Sequence, residues 1–162
     1  VKANRTAVLL LCVLLLAGCY WMIPEDYDPV YPEILPTGSG IPQAIGRWLA
    51  INIEWVNDDI HDKSEYWQSP DQTYQWRSGD CEDFAILMMY LVRLELGGLP
   101  ELVIGTYLGA GHAWIRYNGV DYEAQGGAVV SGDANYVFRE KVSYAETMWR
   151  SEHRHKDMRP AP

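Results

Sequence analysis

Residues 81–96, CEDFAILMMYLVRLEL, constrain the fold more than any other stretch of the chain. Phe84, Ala85, Ile86, Leu87, Met88, Met89, Leu91, Val92 and Leu94 fall on nearly every face of a 3.6-residue repeat, so a helix here belongs in the centre of a domain. Gly97-Gly98 followed by Pro100 stops it. At its start Asp80 can cap, and Asp83, three positions on, resembles the acidic partner of a capping box. Cys81 then lies in the first turn, where unpaired backbone N–H groups and the positive end of the helix dipole favour a thiolate. The same groups can donate to an oxyanion. The carboxylates of Asp80, Glu82 and Asp83 oppose ionisation, so a nucleophilic Cys81 needs a cationic partner, most simply a protonated histidine. Without one, Cys81 reads as a buried structural thiol.

The flanking segments set the fold class. Pro42 to Asp58 carries Ile45, Trp48, Leu49, Ile51, Ile53, Trp55 and Val56 in a largely helical pattern, with proline suited to the first turn. Residues 59–79 are polar and aromatic and read as a loop with a short helix after Pro70. Strand-like runs follow at Leu102–Leu108, His112–Tyr117 and Val120–Gln125. Asn118-Gly119 joins the last two, a strong signal for a two-residue hairpin. A flexible Gly-Ala-Gly at 109–111 precedes His112, and Gly126-Gly127 closes the pair. A further strand at Tyr136–Val142, a helix at Ser143–Arg150 and a disordered tail, 151–162, complete the reading. Helices first and an antiparallel sheet after make an α+β domain over 41–150.

The first residues point to export. VKANRTAVLLLCVLLLAGC has two cations, an apolar run from Ala7 to Ala17 and a small-residue end, the pattern of a secretory signal over 1–18. The run is shorter than the roughly 20 residues a membrane span needs. Leu16-Ala17-Gly18-Cys19 resembles the bacterial lipobox, which implies lipidation of Cys19 and a protein anchored to an envelope membrane, facing the periplasm or the exterior. Residues 19–40, with Pro24, Pro29, Pro32, Pro36 and a Gly-Ser-Gly end, read as a tether. The signal holds Lys2 and Arg5 and no acid; 13 cations less these two against 22 acids leaves the mature charge at 11 − 22 = −11. Such a surface offers no footprint for nucleic acid. With Cys12 removed and Cys19 lipidated, Cys81 has no disulfide partner within the chain, and an unpaired thiol in an oxidising compartment is buried or used.

His112 supplies the missing partner. Pairing the hairpin about Asn118-Gly119 sets Arg116 opposite Asp121, Trp114 opposite Glu123 and His112 opposite Gln125. Alternation puts His112, Trp114 and Arg116 on one side with Asp121, Glu123 and Gln125. Glu123 on the diagonal, or Gln125 straight across, can hold one imidazole nitrogen while the other faces a nucleophile. Asp121 reads as the partner of Arg116. His61, His153 and His155 sit in polar surroundings, and no second Cys or His has zinc-ligand spacing to Cys81 and His112.

These residues carry a resemblance. SPDQTYQWRSGDCEDFAILMMYL followed by GHAWIRYNGVDYEA resembles the transglutaminase-like, papain-related cysteine peptidase superfamily over roughly residues 42–127. The resemblance implies helices packed on an antiparallel sheet, with Cys81 as nucleophile at the start of the central helix, His112 as base and Glu123 as the orienting acid. The family's usual third member is Asp, commonly followed by Pro, where this chain has Glu-Ala-Gln. Trp76 or Gln75 are implied as oxyanion donors. Some bacterial relatives bind calcium beside the Cys motif; Asp80, Glu82 and Asp83 resemble that arrangement, although capping accounts for two of them without a metal. No cofactor is required. The expected activity is hydrolysis of a peptide or amide in a cell-envelope protein or peptide. Acyl transfer at the same site and a non-catalytic envelope binding module are the alternatives.

Overall fold

The computed structural model describes residues 40–58 and 66–153. The signal, Cys19 and nearly all of the tether therefore lie outside the described residues, as do His61 and His155. No helix among the described residues is long and apolar enough to cross a membrane.

The first helix, α1, runs Ile41–Asn52 with its proline in the first turn, and buries Ile41, Ala44, Ile45 and Leu49. It ends six residues earlier than its apolar pattern predicts. Ile53 is already extended, and β1 (Glu54–Trp55) pairs in parallel with β2 (Ser78–Gly79). Glu54 N–H donates to Arg77 O at 2.7 Å and Val56 N–H to Gly79 O at 2.9 Å, so the backbone donors are satisfied across the ladder instead of along a helix. Trp55 is left 54% exposed. Between the two strands lies α2 (Pro70–Trp76), which a Ser69/Gln72 capping box starts and Arg77 at φ 56° ends.

Helix α3 spans Cys81–Leu96, as the sequence predicts. Phe84 through Met89, Leu91 and Val92 are all buried, each of them except Ala85 stabilising the fold by about 1.5–3 kcal/mol. Leu94 departs from the pattern and is 51% exposed. Gly97 ends the helix at φ 69°, its N–H on Arg93 O. Against α3 pack α1, α2 and a four-stranded antiparallel sheet in the order β5-β4-β3-β6.

The strands are β3 (Glu101–Tyr107), β4 (Ala110–Tyr117), β5 (Val120–Tyr122) and β6 (Tyr136–Val142). Asn118-Gly119 turns with both φ positive, at 49° and 78°, as a type I′ hairpin requires. The Gly-Ala-Gly segment is not a flexible lead-in: Ala110 already pairs with Tyr107, and Leu108-Gly109, at φ 51° and 86°, makes a second tight hairpin. Leucine is a poor residue for that conformation, so Gly109 alone marks the turn in the sequence. The last helix, α4 (Tyr144–His153), runs three residues into the segment read as a disordered tail and buries Thr147 and Ser151; residues 154–162 lie outside the described residues. The domain is α+β, with α3 at its centre.

Candidate active site

Cys81 opens α3, half-buried, with Asp80 as the N-cap. The backbone N–H of Ala113, the residue after His112, acts on its thiol in the direction of the thiolate. The sheet register explains why that donor is available. Gly105 pairs with His112 and Val103 with Trp114 toward β3, while Ile115 and Tyr117 pair with Tyr122 and Val120 toward β5. Ala113 therefore directs its N–H toward the β5 side, where the ladder stops at Tyr122. The edge left open by this short strand is where α3 brings its first turn. The predicted strand to Gln125 would have covered it.

The chain leaves β5 in a turn that begins at Glu123. Gly127 N–H donates to Glu123 O at 2.8 Å, and Glu123 N–H to Ala128 O at 2.8 Å. Gly127 adopts φ 75° and packs so tightly on α1 that a Cβ there would lie 2.1 Å from Gln43 O; a Cβ on Gly46 would lie 2.4 Å from Gly127 Cα. Two glycines thus seat the turn on α1 and aim Glu123 back at the sheet.

Glu123 Oε2 meets His112 Nε2 at 2.7 Å, both side chains 13% exposed. Glu123 therefore meets the imidazole across the hairpin, although β5 ends at Tyr122, three residues short of the expected Gln125. Gln125 enters through its backbone: its N–H donates to Glu123 Oε1 at 3.0 Å, and the ring nitrogen it was expected to compete for is taken by Glu123. Tyr136, which the sequence reading did not single out, donates its hydroxyl to Glu123 Oε2 at 2.7 Å. Burial pushes the Glu123 carboxyl pKa up, but the bonds from His112, Gln125 and Tyr136, with the His112 charge, hold it below the ordinary glutamate value. Tyr107, Trp114 and Tyr136 surround the imidazole, with ring centroids 5.8, 6.2 and 5.9 Å away. As expected, Asp121 holds Arg116 in a bidentate pair at 2.6 and 2.8 Å.

The Cys81 thiol donates to Glu82 Oε2 at 2.9 Å. Burial first, then the Glu82 charge and hydrogen bond and the Asp80 charge, push the thiol pKa far up, and the Ala113 N–H works the other way. This is the electrostatic opposition the sequence implies, and it calls for the imidazolium.

The two expected oxyanion donors, Trp76 and Gln75, lie at the end of α2. The Trp76 ring stacks on Tyr66 with centroids 6.4 Å apart, and Gln75 is exposed on α2. A buried amide overlooked in the sequence, Gln68, lies at the same helix start, its backbone N–H on Asp83 Oδ1 at 2.7 Å.

The three acids beside the cysteine differ in kind. Asp83 accepts Gln68 N–H through Oδ1 and Asp80 N–H, at 3.2 Å, through Oδ2, the back half of a capping box. Its carboxyl is nonetheless pushed up to about 8, mainly by burial. Asp80 is pushed up to about 9 by burial, then by Asp83, Glu82 and Asp58, and its Oδ1 is buried without a hydrogen-bond partner. Among the described residues no three acidic, His or Cys side chains converge as a ready-made metal site. His153 lies exposed on α4, stacked on Trp149.

No protein-family model matches the chain, and no curated protein matches it in sequence. Solved structures do. LapG of Legionella pneumophila superposes with a TM-score of 0.51 at 18% identity, and its calcium-bound form with 0.53 at 18%. In both, the match covers 62% of this chain and 62% of the other, so less than two thirds of either. Identity this low speaks for the backbone alone. With a central helix opening on a cysteine and packed on an antiparallel sheet, the chain has the transglutaminase-like, papain-related fold.

Proposed function

We propose that the protein is a cysteine hydrolase, a peptidase or amidase, working through Cys81, His112 and Glu123. One observation supports this reading: the Ala113 backbone N–H favours the Cys81 thiolate, and Ala113 directly follows a histidine whose Nε2 is already held by a half-buried carboxylate. Nδ1 is then the nitrogen left to take the thiol proton. In the reaction the S–H proton leaves its hydrogen bond to Glu82 and passes from the sulfur to His112 Nδ1. The sulfur bonds to the substrate carbonyl carbon, and first-turn N–H groups of α3 face the oxyanion. His112 returns the proton to the leaving nitrogen as the C–N bond breaks. Water, with His112 again as base, opens the thioester to a carboxylic acid. Glu123 keeps its charge throughout and stabilises the imidazolium. An amine in place of water would make the site an acyl transferase.

Calcium belongs to the proposal in one respect. Asp80, with an unpartnered buried oxygen, and Glu82 are the side chains with capacity to hold an ion, whereas Asp83 is engaged by backbone donors. The ion would supply the positive charge this carboxylate cluster lacks. The signal-like start and lipobox-like Cys19 support a lipid-anchored envelope location, and with it an envelope protein or peptide as substrate.

The test is alkylation of Cys81 by iodoacetamide near neutral pH, followed by intact-mass detection of acyl adducts after acid quenching of peptide mixtures. Fast labelling that His112→Ala abolishes, and adducts absent from Cys81→Ala, are expected. An inert thiol indifferent to His112→Ala would support a binding module on this fold instead.

A further inference from the structure

We infer that Tyr136 is a positioning residue of the site: its hydroxyl clamps the Glu123 oxygen that holds His112. The inference rests on the catalytic reading above and adds a fourth group to it. His112 Nε2 and the Tyr136 hydroxyl meet the same oxygen, Oε2, each at 2.7 Å, while Gln125 N–H holds Oε1 at 3.0 Å. Every oxygen of the carboxylate is thereby tied, and from three different segments: the turn after β5, β4 and the first residue of β6.

The need for such a clamp follows from the residue type. A glutamate reaching out of a turn has one more rotatable bond than an aspartate, so a single imidazole contact leaves it free to swing. Tyr136 removes that freedom because its own ring is fixed. Trp114 meets it edge-on, with centroids 5.4 Å apart at 84°, and Tyr107 lies 4.6 Å away on the other strand of its pair. Tyr136 also packs on the buried cluster of Val103, Trp114 and Val130. Burial and the neighbouring Glu123 push the Tyr136 hydroxyl pKa upward, so it stays a donor over the whole neutral range. A purely packing tyrosine would have no reason to send its hydroxyl into a carboxylate that already has an imidazole partner.

The Tyr136→Phe variant keeps the ring and removes the hydroxyl. We expect His112-dependent alkylation of Cys81 to slow about tenfold, the loss of one hydrogen bond to a charged group. In a Glu123→Ala background the same change should cost less than about twofold, because its target is gone. Tyr107→Phe, the neighbouring ring with no bond to Glu123 among those described, is the packing comparison and should slow labelling much less than Tyr136→Phe does. Equal slowing in both backgrounds, or a Tyr107→Phe effect as large as that of Tyr136→Phe, would overturn the assignment. If His112→Ala slows labelling and Tyr136→Phe does not, this inference alone fails; if neither does, the catalytic reading fails with it. Thermal unfolding of each variant separates lost positioning from lost folding, and a Tyr136→Phe protein whose slowing tracks a lowered midpoint in both backgrounds counts against the clamp.

Discussion

Cys81 donates its thiol proton to the carboxylate of its immediate neighbour, Glu82, at 2.9 Å. That contact holds the sulfur in its unreactive form. Replacing Glu82 by Gln removes the charge that, after burial, does most to raise the thiol pKa. Alkylation of Cys81 at pH 7 should accelerate by roughly tenfold, the equivalent of about one pKa unit. Unchanged or slower labelling would mean that Glu82 is a bystander to the thiol.

Glu123 should matter through its charge as well as its reach. Glu123→Ala is expected to slow His112-dependent labelling on the order of a hundredfold, and Glu123→Gln, which keeps the length but not the charge, by roughly tenfold. The pseudo-first-order rate with iodoacetamide reads both. If Gln125→Ala had the larger effect, the orienting role would pass to Gln125.

How the site sits in the fold is only partly written in the sequence. The all-round apolar helix, its acidic cap and the Asn118-Gly119 hairpin are local patterns, and each appears in the structure where the pattern puts it. The pairing of His112 with Glu123 was legible because hairpin register is simple arithmetic from the turn. What broke that arithmetic was tertiary. Gly127 and Gly46 let the chain collapse onto α1 and end β5 at Tyr122, which no periodicity signals. Tyr136 was invisible for a similar reason: it comes from a strand thirteen residues beyond Glu123, on the far side of β3. Likewise β1 formed from residues whose apolar pattern looked helical, because β2 was there to satisfy its backbone.

The glycine seat can be tested directly. Gly127→Ala forces a Cβ toward Gln43 O at a residue with φ 75°. A penalty of about 1–3 kcal/mol is expected in denaturant unfolding. The surviving folded protein should also label Cys81 more slowly, since the turn carries Glu123. A stability loss with the labelling rate intact would show that Glu123 is aimed by its own hydrogen bonds and not by the seat.

Calcium should act through Asp80. Adding the ion to chelator-treated protein is expected to raise the unfolding midpoint, and Asp80→Asn to abolish the increase, because Asp80 has the unpartnered buried oxygen. Asp83→Asn should retain most of the calcium response. A response indifferent to Asp80→Asn would place the ion elsewhere or leave the chain with none.

In chelator, stability should fall as pH rises across the neutral range, the reverse of the usual carboxylate effect. Asp80 and Asp83 have folded-state pKa values of about 9 and about 8, above the 3.8 of an unconstrained carboxyl. The folded chain therefore binds protons that the unfolded chain has released. Their contribution is complete below pH 3.8 and is lost as pH climbs through 8 and 9. Glu123 acts oppositely: its pKa is held below 4.5, so its contribution is present above 4.5 and disappears on further acidification. Thermal midpoints should consequently decline from about pH 5 to pH 9, with a second decline below about pH 4. Asp80→Asn should flatten the first decline and leave the second. A midpoint that rises steadily from pH 5 to 8 would mean that these two carboxyls are ionised and stabilised in the native protein, contrary to the burial that surrounds them.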